Sequence, residues 1–279
     1  MPYPIASLPY PFRRRLRQLL SSTELLSLQI ASGNLENSKH LLPVQTYRSV
    51  PQLCIGNLDD DTVELKWFQN DQFYDHNGSN LLNSPALFLD SLNESNMSDW
   101  VFHYVWLANI SSLEVANCTI TEQFLTKLSC KQLKPTTFSI QSWSEKQFLD
   151  DGTKFSYIFT TFPLLETCYF QYSLVPGWVK HMVEYGKTNL KRVYITENDF
   201  HKLFSFKAVE LYQFVKAQND GFQLHMWYNR VESVASVESK VLPLFEQYFE
   251  PTNCSTFSVQ LLLLHENIDP ITHDFALRS

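Results

Sequence analysis

The residues with most scope for chemistry are eight histidines (His40, His76, His103, His181, His201, His225, His265, His273) and five cysteines (Cys54, Cys118, Cys130, Cys168, Cys254). A zinc hydrolase needs paired imidazoles on one helix face, and a structural zinc site needs closely paired thiolates. Neither HExxH, HxH nor CxxC occurs. Asp59, Asp60 and Asp61 supply three adjacent carboxylates. Neighbours on a strand or loop diverge, so a solvated run is the reading to set against a cation site. Glycine-rich phosphate cradles and the GxSxG elbow are absent. For Cys118 and Cys168, a thiol nucleophile is the alternative to a buried structural role. The sequence thus names no catalytic, cofactor or metal residue, and a protein that is not an enzyme is expected.

Composition narrows the class further. With 44% hydrophobic and 14% aromatic residues in 279, the chain can bury a sizeable core. Only 7 Gly stand against 21 Phe and 13 Tyr, which argues for packing rather than disorder. The net charge is −7, yet residues 1–34 carry four Arg and one Glu. The acidic remainder disfavours nucleic acid, whose phosphates need a basic surface. Unpaired cysteine spacing fits free thiols in a reducing compartment. No apolar run approaches the roughly 20 residues needed to cross a bilayer, and no membrane partner is expected. Six N-x-S/T triplets, at Asn77, Asn93, Asn96, Asn109, Asn117 and Asn253, would suit a secreted glycoprotein. Prolines at 2, 4, 9 and 11, followed by arginines and interrupted leucines, do not read as a secretory leader. An intracellular protein, cytoplasmic or nuclear, is expected.

Two short helices should open the chain. Pro9 and Pro11 suit an extended entry and a first helical turn. Phe12, Leu16, Leu19 and Leu20 then fall on one face, with Arg13, Arg14 and Arg17 largely off it. Ser21 precedes Glu24 by three residues, the spacing of a capping box. A second helix should follow with Leu25, Leu26, Leu28 and Ile30, and stop at Gly33. Such a hairpin holds more leucine than it can bury alone, so it should meet another element or another protein.

Leu8-Pro9, Leu16, Leu19-Leu20, the polar Ser21-Ser22-Thr23, Glu24-Leu25-Leu26, Leu28 and Ile30-Ala31-Ser32 follow one another without a gap. This run resembles the F-box, the helical module that docks a Skp-type adaptor of cullin–RING ubiquitin ligases. Pro11 stands where the family commonly has an acidic residue, and Gly33-Asn34 where it continues helical. The resemblance implies that Leu8, Pro9, Leu16, Leu19, Leu20, Leu25 and Leu28 bind the adaptor. A structural cap, or a basic nuclear or phosphate-binding signal, is the alternative for these residues.

The rest of the chain repeats. Ile110, Leu113, Val115, Cys118 and Ile120 keep the L-x-x-L-x-L-x-x-N/C-x-L spacing of a leucine-rich repeat. Leu165, Cys168, Phe170, Ser173 and Val175 keep it again, as do Leu190, Val193, Ile195, Asn198 and Phe200. Weaker copies run through Pro135, Phe138, Ile140 and Trp143, and through Gly221, Leu224, Met226, Asn229 and Val231. Strands should centre on Leu113–Val115, Phe138–Ile140, Cys168–Phe170, Val193–Ile195 and Leu224–Met226, side by side in one parallel sheet. Residues 63–68 and 257–264 would add strands at either end. The intervening TEQFLTKL, VPGWVKHMVEYG and FKAVELYQFVKAQ have helical periodicity. Cys118 and Asn198 should be buried at interior turns, with the Asn198 side chain bonded to backbone. Residues 77–85 and 91–99 read as loops.

The expected fold is α/β: an F-box-like hairpin (1–34), a connecting segment (35–60) and a leucine-rich-repeat-like solenoid (61–279). This combination is similar to F-box substrate receptors, including the large nematode families. The expected function is a non-catalytic receptor subunit that holds a Skp-type adaptor of a cullin ligase through residues 8–32, and an unidentified protein through the repeats. The alternative is a stand-alone scaffold whose hairpin caps the first repeat.

Overall fold

A computed structural model describes residues 8–31, 46–59, 62–70, 72–76, 80–94, 102–131, 133–141, 155–186, 189–229, 233–252, 257–265 and 268–278. These form a mixed α/β protein with eight α-helices among the described residues. The chain divides into one unit of residues 1–88 and 95–110, and a second of 89–94 and 111–279.

The first unit begins with helices α1 (Tyr10–Leu19) and α2 (Ser22–Ala31). Their junction is the expected capping box. The Ser21 N–H donates to Glu24 Oε2 at 2.8 Å, and the Glu24 N–H donates to Ser21 Oγ at 3.3 Å. Strands β1 (Tyr47–Ser49) and β2 (Gln52–Asp59) lie within the segment expected to connect. Leu53 and Ile55 show why: both are buried, at a period of two. β2 continues into β3 (Thr62–Gln69) and β4 (Gln72–Asp75) as an antiparallel meander. The expected strand at 63–68 therefore exists, but it pairs antiparallel rather than joining a parallel stack. Strand β5 (Leu81–Asn83) falls inside a stretch expected to be loop. Leu81 and Leu82 are buried there, and β5 pairs parallel with β1 and with β7 (Val105–Trp106). Strand β6 (Ala86–Asp90) contains the division between the units.

The second unit is built from β8 (Ser112–Ala116), β9 (Thr137–Gln141), β10 (Thr167–Gln171), β11 (Arg192–Glu197) and β12 (Gln223–Tyr228). These are the five expected strands. They are neighbours in chain order, each parallel to the next. Two further strands, β13 (Phe249–Pro251) and β14 (Val259–His265), and a last, β15 (Ile268–Leu277), complete the sheet. β14 extends the parallel run, and β15 returns antiparallel between β14 and β13. Helices α3 (Glu122–Cys130), α4 (Phe155–Thr161), α5 (Trp178–Tyr185), α6 (Phe200–Leu203), α7 (Ala208–Ala217) and α8 (Val234–Glu246) lie between strands.

Register explains the repeat grammar. Leu113, Phe138, Cys168, Val193, Leu224 and Val259 are paired in one column, and Val115, Ile140, Phe170, Ile195, Met226 and Leu261 in the next. All twelve are buried. Crossovers of one hand that always step to the same side leave every helix on one sheet face. Contacts agree: Phe155 of α4 meets Phe170 edge-on at 4.9 Å, and Phe245 of α8 stacks on Phe275 at 4.7 Å. Each fully buried Phe contributes about 1.5–3 kcal/mol of transfer free energy.

The turn positions divide. Cys118 is buried, its Sγ accepting from the Leu92 N–H at 3.2 Å and contacting the Leu89 carbonyl at 3.6 Å. Burial pushes its thiol up to about 12, which suits structure rather than nucleophilicity. Asn198 is only half-buried, and its side chain makes none of the expected backbone bonds among the described residues. Glu197 takes that role: its Oε1 accepts from the N–H groups of Asn198 and Asp199, at 2.9 and 3.3 Å. The carboxylate sits one residue earlier and points inward, so it reaches the turn first. Trp143, Val231, Gly33 and residues 95–99 lie outside the described residues.

Candidate functional site

Two surfaces stand out among the described residues for the side chains they present outward. The first is on α1. Leu19 is 65% exposed and Phe12 66%, although both belong to its apolar face. Tyr10 is also exposed. α2 behaves differently: Leu25, Leu26 and Gln29 are buried, and only Ile30 among its large apolar residues is strongly exposed. Of the other expected docking residues, Leu8, Leu16, Leu20 and Leu28 are half-buried and Pro9 is exposed at the start of α1. The expected set is therefore split between an anchored inner side on α2 and an open side on α1. Tyr10 and Ile30 were not in that set. Tyr10 lies off the Phe12–Leu16–Leu19 arc, so periodicity alone does not select it.

Glu24 is held ionised at this corner. The Ser21 backbone N–H, then its hydroxyl, lower the carboxyl from its ordinary value, with His103 adding a weaker attraction. No acid precedes it in α1, whose sequence YPFRRRLRQL carries four arginines.

The second surface is the sheet face of the second unit opposite its helices. Between the two buried columns runs an outward one: Glu114, Ser139, Tyr169, Tyr194, His225, Gln260 and Asp274 are paired strand by strand. At its centre the rings stack. Tyr169 and Tyr194 lie 4.7 Å apart at 4°, and Tyr194 and His225 lie 4.4 Å apart at 11°. Adjacent strands are about 4.8 Å apart, so in-register aromatic residues stack without bending the sheet.

Hydrogen bonds pin one end of this stack. Gln260 Nε2 donates to Asp274 Oδ1 at 2.9 Å, which leaves its Oε1 to accept from His225 Nδ1 at 3.0 Å. The Nδ1 proton is thereby fixed, and Nε2 is a buried acceptor without a partner among the described residues. Burial lowers the His225 pKa, with the Gln260 bond opposing and Arg192 assisting. The imidazole is therefore a neutral ring in the stack. Phe257 closes on it edge-on at 5.2 Å.

The neighbouring outward columns are mostly polar, apart from Trp227, whose ring meets Tyr194 edge-on at 6.5 Å. Thr167, Arg192 and Gln223 pair on one side, and Gln171, Thr196 and Trp227 on the other. The Tyr169 and Tyr194 hydroxyls and the Arg192 guanidinium make no hydrogen bond or ion pair among the described residues. Burial raises the Tyr169 pKa, and Tyr194 adds to it. Single-sequence reading placed the inward residues of this sheet but passed over the outward ones. The signal was present: Tyr169, Tyr194 and His225 hold the same place in three successive repeat copies.

Among the described residues, no group of three or more His, Cys, Asp or Glu is placed to hold a metal ion. Among the same residues, no helix is long and apolar enough to cross a membrane. No family model, curated protein or solved structure matches the chain.

Proposed function

We propose that this chain is a non-catalytic, intracellular substrate receptor of a cullin–RING ubiquitin ligase. Its first two helices dock a Skp-type adaptor, and its second unit is a leucine-rich-repeat-like solenoid whose open face captures a target protein. The observation that carries the reading is the open apolar side of α1, where Phe12 and Leu19 stay about two-thirds exposed while α2 is anchored. Exposed apolar residues grouped on one helix face mark an interaction site. The solenoid reading is supported by parallel strands in chain order with aligned inward columns. The role would be positioning: a tethered target presents its lysines at high effective concentration to a bound conjugating enzyme.

The test is capture of a purified Skp-type adaptor by the full chain. Truncating an interface hot spot costs about 2 kcal/mol or more. Leu8→Ala/Pro9→Ala, and separately Leu19→Ala, should each weaken capture at least tenfold with the melting temperature of Leu19→Ala unchanged. A second reading, a stand-alone scaffold with a helical cap, is favoured by the burial of Leu25, Leu26 and Gln29. It prevails if the wild-type chain captures no adaptor and the Leu8/Pro9 variant unfolds.

A further inference from the structure

We propose that Arg192 and the hydroxyls of Tyr169 and Tyr194 form an oxyanion site that takes a carboxylate side chain from an extended acidic segment of the target. This rests on the reading of the open sheet face as the surface that captures a target, and it names the chemistry of that target.

The three groups sit on adjacent strands β10 and β11, and all three are donors. Arg192 is exposed, lies two residues before Tyr194 on the same face, and is close enough to influence the titration of both Tyr169 and His225. Its neighbour Lys191 is already committed to Glu166 at 2.8 Å. Among the described residues, the site therefore offers one unpaired cation, which matches a monoanion. A dianionic phosphate asks for more positive charge than one guanidinium supplies.

Rigidity comes from the ladder. The two phenol rings stack in parallel from paired positions on adjacent strands, and the far end of the stack is fixed through His225 and Gln260 to Asp274. Side chains held before a ligand arrives lose less entropy when it binds. His225 is neutral and buried at Nε2, so it acts as a pin and adds no charge.

The same geometry selects against other ligands. A sugar or an unpaired base docks on the face of a ring. Here stacking takes both faces of Tyr194 and one face of Tyr169, so a single ring face beside Ser139 is left and the surface otherwise offers hydroxyls and edges. Nucleic acid would also need many cations rather than one. Glu114 lies two strands beyond Tyr169 with its pKa raised by burial, and Asp274 lies two strands beyond His225 with one oxygen bonded to Gln260. The acids of the target are thus directed to the centre of the face.

The test uses the full chain and a fluorescein-labelled dodecapeptide of alternating Glu and Thr, read by fluorescence anisotropy, beside the same peptide with Gln for Glu. The Glu peptide should bind at least tenfold tighter than the Gln peptide, and raising salt should weaken it. Arg192→Gln should abolish the difference. Tyr169→Phe/Tyr194→Phe, which keeps both rings, should weaken the Glu peptide severalfold with an unchanged melting temperature. Lys180→Gln, an exposed residue on α5, should have no effect. The proposal is overturned if the Glu peptide fails to bind at millimolar concentration, if both peptides bind equally, or if Arg192→Gln changes nothing. It is also overturned if a phosphoserine peptide of the same length binds tighter than the Glu peptide. Adaptor capture surviving any of these outcomes would leave the ligase reading standing without this site.

Discussion

The β2–β3–β4 meander of the first unit and the β8–β12 run of the second are both sets of paired strands with buried Leu, Ile, Val and aromatic residues, yet their order comes from different sources. In the meander, paired strand ends are close in sequence: Asp59 pairs with Thr62 and Gln69 with Gln72, and Asn70 has φ 50°. Asn tolerates that left-handed backbone better than most residues. In the parallel run, partners are 25 to 31 residues apart, and nothing local joins them. What holds them is agreement between equivalent positions, so that a side chain in one strand packs on its counterparts in the next. The meander depends on its turns, whereas the parallel run depends on its columns.

The largest expected effect breaks a column. Phe170 is fully buried in β10 and meets Phe155 edge-on. Phe170→Ala should cost about 3–5 kcal/mol. Amide hydrogen exchange should show β9 and β11 losing protection together with β10. Leu53→Ala, at a fully buried position of β2, should cost a comparable amount but deprotect β2 and its strand neighbours β3 and β6, leaving β9–β11 protected. Equal spreading in both units would break the comparison.

A smaller effect sharpens it at the turns. Glu197 is 2% exposed, and desolvation raises its carboxyl above its ordinary value, with the Asn198 and Asp199 N–H bonds opposing. A raised folded-state value means that the neutral form suits the fold. The stability tied to this group is fully present below the unfolded pKa and is lost as pH rises through the folded one. Glu197→Gln keeps an oxygen for both N–H groups and removes the ionisation. Thermal melts should show a gain of about 2 °C at pH 7.5, and no gain at pH 4.

The smallest effect concerns Asn198. Its side chain makes no hydrogen bond among the described residues and is half-buried, so Asn198→Leu should shift the melting temperature by less than about 1 °C. A drop of several degrees would return the turn role to Asn198.

These contrasts explain what was legible in the sequence. The five parallel strands could be read because Leu113, Phe138, Cys168, Val193 and Leu224 recur at one place in a spaced pattern, and repetition separates signal from chance. β3 could be read as a strand but not in its direction, because alternation says which face is buried and nothing about the partner. β5 was hidden by its neighbours: Asn80, Asn83, Ser84 and Pro85 read as turn residues around only two buried leucines. β15 carries Pro270, which argues against a strand interior. It sits where the β14–β15 register shifts, between the Leu263–Ile271 and His265–Ile268 pairs, and among the described residues β13 pairs only with residues 275–277. On α1, periodicity identified an apolar face, but no pattern within ten residues states whether anything covers it. The outward ladder needed the register itself, since Tyr169, Tyr194 and His225 become neighbours only when three strands align.

The stacked phenols also make the second unit its own optical reporter. Two identical chromophores held parallel at 4.7 Å share their excitation, and an imidazole at 4.4 Å from the second makes their surroundings asymmetric. Coupled transitions in a chiral frame give a near-ultraviolet circular-dichroism band far stronger than isolated tyrosines produce. Any change in the spacing or tilt of those rings alters that band directly, so the condition of the open face can be followed by light alone, without a label and without touching the surface.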